Sequence, residues 1–431
     1  MRKRSISTSV RHCTAVILAG GRGTRLKGLT NWRVKPAVPF GGQYHIIDFV
    51  LSNCINSGIR RIGVLTQYKS QSLIRHITLG WNFFHREFDE FIEILPAQQR
   101  NQEGWYSGTA NAVYQNLDIL QSNPSKYTLI LAGDHIYKMD YASLLNHHIN
   151  TASGLTIAAI DVPAADAGRY GILKTGKKNQ VTAFKEKPLP DELDAGPDTT
   201  HVLASMGIYI FNTNLLYNWL YRDAENPDSS HDFGKDIIPA MIGQHKVVAW
   251  PFRNSRGESM YWRDVGTIDS YWEASMDLVS VIPELNLYDK GWPIYSRVIQ
   301  VPPAKFVFND HGRRGMAVDS LVAHGSIISG SLVENSLLST NVRVNDHSHI
   351  TRTVLLPDAV IGHNCRIDRA IIDKRTVIPD GTVIGSDPDK DAARYHVSPG
   401  GITLVTPEML GQGIRSINLN LINSFGGKVN P

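Results

Sequence analysis

Three cysteines in 431 residues, Cys13, Cys54 and Cys365, are too few and too scattered for a disulfide scaffold, and none forms a C-x-x-C pair. They argue against a cysteine zinc site and favour a reducing, cytoplasmic setting. Charge of one sign is also missing. Lysine plus arginine number 44 against 40 acidic residues, a net +4, and much of that excess sits in the opening MRKRSISTSVRH. A chain so balanced has no nucleic-acid partner in prospect. No apolar run nears the ~18 residues that span a bilayer, and no apolar h-region follows the basic head, so no membrane partner or signal peptide is expected. Residues 1–12 read as a flexible tail.

What is there begins with AVILAGGRGTRLKGLTNWRVKP, from Ala15 to Pro36. A short apolar run bounded by glycines has the pattern of a buried parallel strand. Gly20, Gly21 and Gly23 then let the backbone turn sharply, and free N–H groups in such a loop cradle phosphate oxygens. Thr24, Arg22, Arg25 and Lys35 make the segment polar and cationic. No Gly-Lys-Ser/Thr follows, so this is not a Walker A loop, and the G-x-G-x-x-G spacing of a dinucleotide fold fails. A βα turn with surface basic residues remains the plain alternative.

Strands such as Ile62–Gln67, Thr128–Asp134 and Thr156–Ile160 alternate with helical patterns around Ser72–Ile77 and Ala110–Leu120. That alternation predicts an α/β domain over residues 13–279, with a doubly wound, mostly parallel sheet and ligands at the C-terminal strand ends. A proline-rich, polar stretch over 280–315 reads as a linker. Beyond it, aliphatic residues recur every six positions at Leu332, Leu338, Val344, Ile350 and Leu356, slip to Ile361 and Ile367, then to Ile372, Ile378 and Ile384. A hexapeptide period marks a left-handed parallel β-helix, expected over 316–431 with a C-terminal tail. A β-sandwich would instead show a period of two.

Asp134 ends a predicted strand and Asp264 lies in a distant Trp-Arg-Asp-Val-Gly turn. Each alone reads as a cap or turn residue; together they suit Mg2+, which takes one or two protein carboxylates plus phosphates and water. Phe184-Lys185-Glu186-Lys187-Pro188 alone would read as a solvated strand edge.

The ordered series G-G-x-G-T-R-L…K-P, Asn53–Gly58, Leu95–Arg100, Gly133–Tyr137, Ala204–Tyr209 and Tyr261–Thr267 resembles the sugar-nucleotidyltransferases, and among them the bacterial glucose-1-phosphate adenylyltransferase family. The resemblance covers nearly the whole chain. It implies a Rossmann-like nucleotidyltransferase domain that joins ATP and glucose 1-phosphate into ADP-glucose and pyrophosphate, for glycogen or another α-glucan. It implies catalytic roles for Arg25, Lys35, Asp134 and Asp264, the last two also as Mg2+ ligands. Glucose 1-phosphate is assigned Tyr106, Gly171, Glu186, Lys187, Ser205 and Tyr209. The nucleotide is assigned Gly20, Gly21, Gly23, Thr24, Gln67, Gly108 and Thr109. Relatives are homotetramers regulated by anionic effectors, a sugar-phosphate activator and AMP or phosphate as inhibitor. Alternatives are a nucleotidyltransferase for another nucleotide or sugar phosphate, a non-catalytic regulatory subunit, and a hexapeptide acyltransferase using His347 or His349.

Three positions depart from the family pattern. Trp32 and His45 stand where many relatives carry cations, leaving Arg33 and Arg366 as candidate regulatory residues, and Asn111 replaces an aspartate. A lost cation beside a phosphate costs on the order of 1 kcal/mol or more. Fructose 1,6-bisphosphate is therefore expected to activate weakly. The double change Trp32→Lys/His45→Arg should lower its half-activation concentration about tenfold. Strong micromolar activation of the unaltered protein would overturn this reading.

Overall fold

The computed structural model describes residues 9–21, 23–97, 105–192, 200–310 and 312–413. Arg22 and most of the predicted tails fall outside these ranges. Cys13–Leu18 is a strand buried almost throughout. Its two neighbours, Arg61–Thr66 and Tyr127–Ala132, both run parallel to it, with Phe91–Pro96 at the edge beyond. Strands covered on both faces need unbroken apolar side chains, and this is why the run from Ala15 to Leu18 does not alternate.

The other half of the nine-stranded sheet departs from the parallel expectation. His201–Asn212 runs antiparallel to Tyr127–Ala132 and to Leu155–Pro163. Gly171–Thr175 and Val181–Glu186 form a hairpin whose first strand also pairs with it. The hairpin's short connection allows only an antiparallel pair, since a parallel return needs a crossover, and Val247–Pro251 beside Leu155–Pro163 is parallel. The long strand changes register between Ser205 and Tyr209, where Gly207 takes φ +67°.

The helix expected over Ala110–Leu120 is two, Thr109–Tyr114 and Leu117–Ser122. Asn116 lies between them, and its amide donates to Ala112 O at 2.8 Å and to Tyr106 Oη at 2.9 Å. A side chain that takes the backbone acceptor competes with continuation of the helix.

Three parallel sheets follow as the flat sides of a left-handed β-helix. Inward residues stack in ladders: Ile328, Val344, Ile361 and Ile378 on one side; Val333, Ile350, Ile367 and Ile384 on the next; Leu338, Leu355 and Ile372 on the third. Two expected inward positions are corrected. Val333 and Leu355 point inward, whereas Leu332 is half-buried and Leu356 packs on the first domain. From Val344 onward one side of each coil is a residue shorter than the other two, which is the slip seen in the aliphatic series, while the coil from Ile328 to Val344 has two short sides. The coil also begins earlier than expected, because Lys305–Val307 already pairs with Ile327–Ser329. The rest of the predicted linker is docked on the Ile46–Asn56 helix. Asn56 donates to Pro293 O, Trp292 to Asn53, and Ser296 to the buried Asp48 carboxylate.

The two domains share a core. Leu26, Leu29, Phe40, Ile46 and Tyr271 pack with Leu337, Val354, Leu356, Ile371 and Leu404 from one side of the coil. Each such side chain contributes roughly 1.5–3 kcal/mol when fully buried. Among the described residues no helix is long and apolar enough to cross a membrane.

His148 is buried on the Tyr141–Thr151 helix, with Nδ1 2.8 Å from Thr156 Oγ1. Burial pushes its pKa down to about 4. The unfolded chain therefore takes up this proton first as pH falls from 6.5, and folding stability falls with it until the folded state also protonates. The contribution between pH 7 and pH 4.5 is about 2 kcal/mol. In urea titrations, His148→Gln should lose correspondingly less stability over this window than the parent; equal losses would refute the assignment.

Candidate active site

A cavity of about 520 Å³ opens at the C-terminal ends of the parallel strands. Gly20, Gly21, Gly23, Thr24, Arg25 and Lys35 line one wall, and Gln67, Tyr106, Gly108 and Thr109 line another. Gly23 sits at φ +61°, in the left-handed region, and turns the chain into the short 3-10 segment Thr24–Thr30. Gly108 is required for a different reason. A Cβ there would lie 2.2 Å from His231 O. All seven residues assigned to the nucleotide lie on this cavity.

Tyr106 was expected on the sugar side. It lies in the same wall as Gln67, its carbonyl accepting from Gln67 Nε2 at 3.3 Å. Asn111 Oδ1 accepts from Ser107 N and from Gln115 Nε2, so its amide organises the Trp105–Thr109 turn, a task open to an aspartate as well.

Asp134 and Asp264 meet at the cavity floor because Trp262–Asp264 pairs antiparallel with His135–Tyr137, setting Asp264 opposite His135. Lys35 Nζ lies between the two carboxylates, 2.9 Å from Asp134 and 2.6 Å from Asp264. Arg25 Nη2 is 3.8 Å from Asp264 on the solvent side. Burial pulls the lysine toward neutrality, but the two adjacent negative charges together outweigh it and raise its pKa. Burial likewise resists ionisation of the aspartates, and chiefly the Lys35 charge holds both below the usual carboxylate range. Ligand atoms of Asp134, His135 and Asp264 lie within 4.8 Å of one another. Two carboxylates presenting hard oxygens, held ionised beside a cavity large enough for a nucleotide, fit Mg2+.

The sugar-side residues gather on the antiparallel half of the sheet. Ser205 Oγ is 3.2 Å from Tyr209 Oη. Glu186 pairs across the hairpin with Gly171 and is 3.0 Å from the exposed Lys187 ammonium. Lys187 has φ +47°, and its N–H donates to Tyr170 O.

Sequence reasoning missed two residues. Asp232 lines the cavity, accepts from Thr109 Oγ1 at 2.9 Å, and lies beside the Gly234 backbone that approaches Glu186, thus linking the two subsites. Its pattern before Phe233–Ile237 is that of any helix cap, so no signal separated it. His135 Nε2 is 3.5 Å from Asp134, while its Nδ1 is buried with no hydrogen-bond partner.

The two candidate regulatory arginines are not together. Arg366 lines an open polar depression with Glu334, His349 and Arg352 on one side of the coil. Arg33 is buried at the domain seam, with Nη2 donating to both oxygens of Asp373. Trp32 Nε1 donates to Glu408 Oε1 at 2.8 Å, and burial first, then the neighbouring His76, pushes the His45 pKa down to about 3.

The Nucleotidyl transferase family profile matches residues 14–281, and a GlmU-like C-terminal hexapeptide profile matches residues 302–405. A protein of Methylococcus capsulatus called glucose-1-phosphate adenylyltransferase is 56% identical over 95% of this chain and 96% of its own length. Proteins with that name from Alkalilimnicola ehrlichii (numbered 2) and Nitrosospira multiformis are 55% and 54% identical, each over 96% of this chain and 98% of their own. On these matches, which run over nearly the whole chain, it belongs to the glucose-1-phosphate adenylyltransferase family of nucleotidyl transferases.

Proposed function

We propose that the chain transfers the adenylyl group of ATP to glucose 1-phosphate, giving ADP-glucose and pyrophosphate. The observation that carries this reading is the Lys35 ammonium fixed between Asp134 and Asp264 at the floor of the glycine-lined cavity. The sugar phosphate is already an oxyanion, so no nucleophilic side chain is needed. One of its oxygens bonds to the α-phosphorus as the bond to the α,β-bridging oxygen breaks, and the electron pair leaves with pyrophosphate. No net proton transfer is required.

Catalysis is then alignment and charge neutralisation. Lys187 and Glu186 bind and orient glucose 1-phosphate, with Ser205 and Tyr209 behind the sugar. The glycine-loop N–H groups and Arg25 hold the nucleotide phosphates, and Lys35 stabilises charge as it develops. Asp134 and Asp264 would hold Mg2+, which when bound neutralises phosphate charge. A non-catalytic regulatory role is disfavoured because Arg25, Lys35, Asp134, Lys187 and Asp264 are all present.

An anionic effector, a sugar-phosphate activator or AMP or phosphate as inhibitor, belongs at the domain seam in this reading. Among the described residues, Arg33 Nη1 is buried there with no hydrogen-bond partner, while His45 Nδ1 lies 4.0 Å from Asp48 Oδ2. Burial first, then Arg33, press the nearby Lys374 down to about 8. A lysine whose charge is suppressed by burial and by a neighbouring guanidinium favours an incoming anion. Homotetramer assembly is consistent with exposed Phe306, Phe308 and Val318 at the start of the coil.

Pyrophosphate release measured with a panel of nucleoside triphosphates and sugar phosphates tests the reading; ATP with glucose 1-phosphate should be the preferred pair, and preference for another pair would replace it. Asp134→Asn should lower kcat about a hundredfold with a smaller effect on sugar-phosphate KM. Near-normal kcat at saturating Mg2+ would remove Asp134 from the metal site. Lys187→Ala should raise the KM for glucose 1-phosphate about ten- to a hundredfold and spare that for ATP. Equal shifts in both would place Lys187 elsewhere.

A further inference from the structure

The β-helix reaches the catalytic lysine through one buried ion pair. Arg33 lies two residues before Lys35 and is almost fully enclosed, as is its partner Asp373. Asp373 ends the Ala370–Ile372 strand, where its backbone is locked into the coil: its N–H donates to Val405 O at 2.8 Å and its carbonyl accepts from Thr376 N. On the other side, Arg33 Nε donates to Leu29 O at 2.7 Å. The chain from Arg33 to Lys35 has little freedom, because Ala37 N bonds Val34 O and Val38 N bonds Lys35 O in the turn that follows. Fixing Arg33 therefore fixes where the lysine stem begins.

We infer that Asp373, though it lies in the other domain, is a positioning residue for Lys35; the inference rests on the adenylyl-transfer reading above. Lys35 must satisfy acceptors 2.9 and 2.6 Å away on two separate segments. A displacement of about 1 Å breaks at least one of those contacts, and misplacement on that scale costs about a hundredfold in rate in well-ordered sites. A buried ion pair is a poor source of net stability, because desolvation offsets most of the attraction, but removing one partner leaves an uncompensated charge that must move. Loss of the Asp373 charge would release Arg33 toward solvent and carry the Val34–Pro36 backbone with it.

The test is Asp373→Asn, which keeps side-chain volume and removes the charge. The expected result is a fall in kcat of about tenfold or more, with KM for both substrates within about threefold. In a Lys35→Ala background the same change should cost nothing further, because its effect passes through the lysine. A purely structural role predicts equal losses in both backgrounds, and that outcome, or a kcat within about twofold of the parent, overturns the proposal. Trace acetylation read by peptide mass spectrometry supplies a readout independent of activity. Relative to exposed Lys390, Lys35 should acetylate several-fold faster in Asp373→Asn than in the parent; unchanged labelling overturns the proposal. A parent without adenylyl transfer would defeat the functional reading alone, leaving labelling to decide the positioning. Should Asp373→Asn fail to fold, Arg33→Gln removes the same ion pair from its other side and should give the same pattern; unchanged kcat and Lys35 labelling there would overturn the proposal.

Discussion

One ammonium group between two carboxylates organises this molecule. Lys35 is the cation that lets Asp134 and Asp264 remain ionised a few ångströms apart with little water. Without it the two carboxylates would repel with less to offset their charge. The three residues come from a loop, a strand end and a distant two-stranded ribbon, so their meeting requires the parallel half of the sheet and the His135–Tyr137 pairing to be in place. The site is thus a report on the whole first domain.

The second domain is more than an appendage. One side of its coil supplies Leu337, Val354, Ile371 and Leu404 to a core shared with the glycine-loop segment. Polar ties flank that core: Trp272 donates to Arg352 O, Thr340 N to Gly42 O, and Trp32 to Glu408. Apolar burial supplies most of the adhesion, while the Arg33–Asp373 pair supplies register. An effector that binds at this seam sits beside the segment bearing Lys35, and so has a short mechanical path to the chemistry.

The two halves of the catalytic sheet divide the labour according to their topology. Parallel strands end together at one edge, where loops with free N–H groups can surround phosphates. The antiparallel half brings Glu186, Ser205 and Tyr209 close through hairpin pairing and the register change at Gly207. Asp232 stands where these halves adjoin, tied to Thr109 on one side and near Glu186 on the other.

Much of this was legible in the order of residues, since short-range patterns report local physics. The apolar run before Gly20 required a buried strand, the glycines required a turn that presents N–H groups, and the six-residue aliphatic period required a coil with one inward side chain per face. Other features depend on contacts between distant segments and leave no local trace. Val333 rather than Leu332 faces inward because the stacking strands set the register, and both residues are equally apolar. Tyr106 is held in the cavity wall through its hydroxyl, which accepts from Asn116 between the two short helices that follow. Arg33 was readable as a cation, but its neutralisation by Asp373, 340 residues away, was decided only when the coil folded back against the loop. Charge and periodicity are properties of a sequence; which charge meets which, and which side is covered, is settled by the packing of one domain on the other.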